Sequence, residues 1–123
     1  MNKSTEIHIT NSQGVVLSLA EHMQNVTTQV AQNLQRSEQP AEVRQLVEQL
    51  SRQIKEISPA VPPASVEKMT KSVTRLSEEL ALPKPDKEWC HLSLKGIKEA
   101  AEAVGAVAAP VLEIVLKLWP LVV

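Results

Sequence analysis

An all-α fold, an antiparallel bundle of about four helices, is what this sequence predicts, and three observations carry the expectation. Only three glycines occur in 123 residues, while Gln, Glu, Lys, Ala and Leu are plentiful, a balance that favours helix over sheet. The prolines divide the chain at Pro40, at Pro59, Pro62 and Pro63, and at Pro83 and Pro85. Between those clusters apolar residues recur at helical spacing, as expected where proline ends one helix and opens the next. A chain of this length fits one domain with one core.

The first stretch, residues 1–14, is the exception. Ile7 and Ile9 alternate with Glu6, His8 and Thr10, and Asn11-Ser12-Gln13-Gly14 suits a turn before Val15-Val16-Leu17, so an arm, edge strand or short β-hairpin is expected there. From Val16 the spacing changes. Val16, Leu19, Met23, Val26 and Val30 step by three and four, with Leu34 beyond, which gives a heptad-like seam on a helix of about 20 residues.

Residues 15–82 form the predicted three-helix region. Its second helix runs from Pro40, placed at a first helical position, to Ile57, with Val43, Leu46, Val47, Leu50, Ile54 and Ile57 on one face. Glu48 and Arg52 stand four apart in the favourable order. The segment Ser58-Pro59-Ala60-Val61-Pro62-Pro63 forces a turn, and Ser65 is expected to cap a third helix, Val66 to Ala81. The seam of that helix is Val66, Met69, Val73, Leu76 and Leu80. Short breaks between helices of similar length imply antiparallel neighbours.

Residues 83–123 read as a linker followed by an apolar C-terminal helix kinked at Pro110. Asp86 is expected to cap a short helix carrying Trp89 and Leu92; Ser93 then either opens a new helix or lies within a continuous one. On a single helix Lys95, Lys98, Glu99, Glu102, Glu113 and Lys117 share a sector of about 100°, leaving the rest of the circumference apolar. Two situations produce such a charged stripe. In one the helix is the core of the bundle and the stripe faces water. In the other, residues 100–123 span or enter a bilayer, with Trp119 at an interface and Gly105 and Ala108 allowing close helix approach. The residues expected to serve membrane contact or self-association are Val104, Gly105, Ala108, Val111, Leu112, Ile114, Val115, Leu118 and Trp119.

With no Phe, no Tyr and only Trp89 and Trp119, the interior must be built from Val, Leu, Ile, Ala and Met. The net charge of −1 and the dispersal of Lys and Arg among Glu set nucleic acid aside as a partner. A lone Cys90 has no internal disulfide partner, and MNKSTEIHIT lacks an apolar export core, so the expected location is cytoplasmic, extending to the inner membrane if the ending acts there. His8, His22 and His91 are scattered, Cys90 and His91 splay apart on a helix, and the glycines are isolated. No metal ligand set, phosphate loop or nucleophile with a base emerges, and the expectation is a non-enzyme without cofactor.

Two stretches carry a resemblance. Ile7-His8-Ile9-Thr10-Asn11-Ser12-Gln13-Gly14-Val15-Val16 resembles the β-prone Asn/Gln/Gly leader of small bacterial proteins of predicted conflict or antiphage-defence type. The run from Pro83 to Trp89, with Leu92 to Ala101 and Ala109-Pro110-Val111-Leu112, resembles their apolar C-terminal module. The resemblance implies a small accessory or effector component acting by assembly or on a membrane, and it assigns no catalytic residue. The sequence thus leads to a self-associating, non-catalytic helical protein acting on membrane through its last helix, or alternatively to a soluble oligomeric adaptor that binds a partner protein, with that helix as bundle core.

Overall fold

The computed structural model describes Ile9–Thr10 and residues 16–122. The first eight residues, the expected turn at Asn11 to Gly14, and Val123 lie outside the described residues. Strands β1 (Ile9–Thr10) and β2 (Val16–Leu17) pair antiparallel, with Ile9 opposite Leu17 and Thr10 opposite Val16. Five helices follow: α1 (Leu19–Gln35), α2 (Ala41–Ile57), α3 (Pro63–Leu80), α4 (Lys87–Val104) and α5 (Ala109–Val122). Short 3₁₀ turns at Ser58–Ala60 and Ala106–Ala108 precede α3 and α5.

The helices α2, α3, α4 and α5 form a ring in which each packs on the next and α5 closes back on α2, while α1 lies over α2 and α3. Their direction follows from cross-links. Lys55 Nζ donates to Gln24 Oε1 at 2.7 Å, which joins the end of α2 to the start of α1. Asn33 Nδ2 donates to Ser77 Oγ at 2.9 Å, so α1 runs parallel to α3. Within the ring the short connections make neighbours antiparallel, as the sequence predicts.

Helix starts differ from the sequence reading by a few residues, each time for a local reason. Val16 belongs to β2, and α1 opens only after Ser18, whose Oγ accepts from Glu21 N at 3.2 Å. Pro40 is the cap of α2 and not its first residue. α3 starts at Pro63, ahead of the expected cap Ser65, because proline at a first helical position has its φ preset and no N–H to satisfy. Asp86 caps α4 as expected, its Oδ1 accepting from Glu88 N at 2.8 Å and Trp89 N at 3.3 Å, and α4 continues unbroken through Ser93 and Gly96. At Gly96 a Cβ would come within 2.9 Å of Ser72 Oγ, so α3 and α4 pack closely there.

The core is aliphatic throughout. The predicted seam Val66, Met69, Val73, Leu76 and Leu80 is buried, facing Val47, Leu50, Ile54, Leu94, Ile97, Val115 and Leu118 in one contiguous cluster. Leu46 stays only partly buried.

The main correction concerns the ending. It is not one helix kinked at Pro110. The break falls at Gly105, with φ 94° and ψ −147°, and the chain folds back so that α5 runs antiparallel along α4. Proline at 110 sits in the first turn of α5, where it removes no needed hydrogen bond. A Cβ at Gly105 would touch nothing within 4 Å, so glycine is required there by backbone conformation alone. Gly105→Ala is therefore expected to lower stability by about 1–3 kcal/mol in urea unfolding, with the helical circular dichroism of the folded state unchanged.

Candidate interaction surfaces

The fold-back decides where the predicted association residues lie. Ala108, Val111, Val115 and Leu118 have no exposed surface, and Ile114 is buried; Val104, Leu112 and Trp119 are partly buried against the core, and Gly105 is exposed at the turn. The set is thus largely internal. Its 14-residue helix is about 21 Å long at 1.5 Å per residue, short of the roughly 30 Å of a hydrocarbon layer. Among the described residues no helix is long and apolar enough to cross a membrane.

The charged stripe is divided by the same turn. Lys95, Glu99 and Glu102 are exposed on α4 and Glu113 and Lys117 on α5, two antiparallel helices in place of one continuous face. Lys98 Nζ donates to Glu102 Oε2 at 3.0 Å, the expected outward use of a charged helix face.

Large apolar side chains that remain exposed are Leu82, Trp89, Leu92, Val107, Leu116 and Leu121. Trp89 and Leu92, which the sequence places on the helix capped by Asp86, point outward, 45% and 47% exposed. The inward face of α4 is Cys90, Leu94, Ile97, Ala100 and Ala101, offset from them by one position. Arg75 on α3 stacks over Trp89, its guanidinium carbon 4.3 Å from the ring centroid. The other tryptophan is held within the fold, with Trp119 edge-on to His91 at 4.9 Å between centroids and 72° between planes. The sequence singled out neither Arg75 nor the exposure of Trp89; the one available signal was that Trp89 precedes by one residue the inward register set by Leu94, Ile97 and Ala101.

One end of the bundle has a distinct composition. Residues 57–66 and 103–112 contain no charged side chain, and the antiparallel ring brings these two turns to the same end. Pro59, Ala60, Pro62, Pro63, Ala64, Ala106 and Val107 are exposed there. Between α1 and α2 the surface is polar. An open groove between α1 and α2 is lined by Gln24, Thr28, Arg52 and Lys55, with Arg52 paired to Glu48.

Cys90 and His91 diverge as their adjacency on a helix dictates. Cys90 enters the core, and His91 Nδ1 is buried without a hydrogen-bond partner among the described residues. His22 on α1 is held below its ordinary value by burial, against the opposing pull of Glu67. Among the described residues no group of three His, Cys, Asp or Glu side chains is placed to hold a metal ion.

Burial pushes the Cys90 thiol from 9.0 up to about 11, with the negative charges of Glu79 and Asp86 adding to the effect. A thiol that binds its proton more tightly when folded contributes stability that is complete below pH 9.0 and lost as pH rises toward about 11. Urea midpoints are expected to fall across that window more steeply in the native chain than in Cys90→Ala. Against protein-family models, curated proteins and solved structures the chain finds no match, so the resemblance to defence-type proteins draws no support from them.

Proposed function

We propose that this chain is a non-catalytic, self-associating adaptor that works through protein contacts made by the outer surface of its α4–α5 half, with the C-terminal helix serving as bundle core. One observation carries this reading. Every large apolar side chain that is exposed among the described residues lies between Leu82 and Leu121, whereas α1, α2 and α3 expose none. Single exposed apolar residues need no explanation, but their confinement to one half of the bundle is the pattern of a surface meant to be covered.

The burial of Ala108, Val111, Val115 and Leu118 favours this over action on a membrane through α5. For α5 to enter lipid it would have to leave α2 and α4, uncovering their apolar faces as well as its own. The uncharged turn at 103–112 has no basic residue and no tryptophan, the side chains that hold helices at anionic lipid surfaces.

The test is mass by light scattering across a wide concentration range, for the native chain and for a variant carrying Leu92→Glu, Leu116→Glu and Leu121→Glu together. All three positions are exposed, so the variant is expected to keep its helical signal, and it is expected to be monomeric where the native chain is a discrete oligomer. Flotation with phosphatidylglycerol-containing liposomes should leave the native chain in the soluble fraction. A native chain that is monomeric throughout, or that floats with the liposomes, would sink the proposal.

A further inference from the structure

The turn between α4 and α5 separates two helices whose faces agree. If the helix is drawn straight through Gly105 at about 100° per residue, Leu94, Ile97 and Ala101 of α4 and Val111, Val115 and Leu118 of α5 share one sector of about 120°. The charged residues from Lys95 to Lys117 fall on the far side of it. A helical hairpin needs no such agreement, because a turn can set its second helix at any rotation. One continuous helix does need it.

Little in the turn resists straightening. Among the described residues Gly105 alone holds a positive φ, and Ala106–Ala108 form a single 3₁₀ turn that an α-helix would absorb. Against the straight form stands Pro110, which has no N–H for the carbonyl of Ala106 and bends a continuous helix there. A single copy opened by itself would also uncover Val111, Val115 and Leu118, together with the faces of α2 and α4 that they fill. Two copies opened together would uncover neither.

We infer that α5 is exchangeable between two copies of the chain, each opening at Gly105 and laying its α5 in the site on α2 and α4 that the other copy's α5 has left. The fold itself fixes the occupant of that site, since the contacts are those of the closed form made between chains instead of within one. The straightened helices then run antiparallel about a two-fold axis near Gly105, with α5 of each copy along α4 of the other.

That axis decides which surfaces meet. From Val104 to Ala109 a helix rises about 7.5 Å, so the two bundles abut at the ends that carry this turn. It is the end built from residues 57–66 and 103–112, which hold no charged side chain. Pro59, Ala60, Pro62, Pro63 and Ala64 are exposed on it. α1 begins at the same end but outside the ring, and brings Glu21 to the rim. Identical ends meeting about a two-fold axis would set like charges side by side, and these two turns have none to oppose.

Because α5 has to leave a closed core first, the two forms interconvert slowly, and the concentration at which the chain folds selects between them. The exchange uses none of the exposed residues on which the surface association proposed above rests, so the two are tested apart. The experiment is refolding of the full-length chain from urea at low and at high concentration, followed by light scattering after dilution to one common concentration. Folding at high concentration is expected to give a dimer that persists on dilution, and folding at low concentration the monomer. When isotope-labelled and unlabelled chains are refolded together, the ring contact of His91 with Trp119 should appear as a nuclear Overhauser effect between chains, whereas in the closed form it lies within one. Gly105→Ala and Pro110→Ala both favour a straight helix and should each raise the share of persistent dimer about fivefold or more. Ala60→Glu should lower that share without moving the urea midpoint of the monomer. The Leu92→Glu, Leu116→Glu, Leu121→Glu variant should form the persistent dimer as the native chain does. A persistent dimer in a chain that shows no reversible association sustains the exchange and sinks the surface reading. An oligomer that redistributes fully on dilution sustains the surface reading and overturns the exchange. Monomer alone from both the native and the Gly105→Ala chains at high concentration overturns it too, as does a persistent dimer whose His91–Trp119 contact stays within one chain.

Discussion

The backbone reversal at Gly105 is the constraint on which the rest of the structure depends. Its φ of 94° with ψ of −147° is open to glycine and strained for any side chain. Because the chain turns there, the longest apolar stretch of the sequence becomes an antiparallel pair of helices, and the second of them closes the ring on α2. A straight continuation would have carried Val111, Val115 and Leu118 away from Leu94 and Ile97, leaving both sets without cover. The hydrophobic gain from burying them together outweighs the helical hydrogen bonds interrupted at a single glycine.

An aliphatic core places its own demands on the chain around it. Without Phe or Tyr, volume has to be filled by Val, Leu, Ile, Met and Ala, which requires close helix approach, as at Gly96 against Ser72. Several polar side chains that enter this interior are tied across elements, whereas His91 Nδ1 has no partner among the described residues. Asn33 donates to Ser77, Ser37 donates to the carbonyl of Leu80 at 2.7 Å, and the buried carboxylate of Glu79 accepts from Asp86 N at 3.1 Å. Each of these spans two elements, so satisfying the buried group also fixes the ends of α1 and α3 and the entry to α4. The same economy of aromatics gives meaning to Trp89: its exposed ring is apolar area that the bundle leaves to the surface.

Much of the fold was legible because helical periodicity and proline placement are local properties. The seam of α3 and the inner face of α2, Leu46 apart, follow residue by residue from apolar spacing, and the cap at Asp86 follows from its position before an apolar helix. Helix starts were displaced where two cap signals competed, as with Pro63 and Ser65, because proline at the first position outcompetes a serine two residues later. The stripe of charge on the ending was real in composition but not in space. On one continuous helix its members would align, and a single change of backbone direction at Gly105 distributes them over two.

The sequence by itself determined the helical class, the aliphatic core and the positions of most helix faces, since each follows from residue type and spacing along one segment. Only the tertiary structure decided whether the apolar ending lies inside the protein, and that Trp89, Leu92 and Arg75 meet on an outer face. Those outcomes depend on which segment covers which, a matter of long-range packing between α5 and α2 and between α3 and α4. An isolated apolar helix has the same pattern whether protein or lipid buries it, so the partner that covers it is fixed by the assembled fold and not by its own residues.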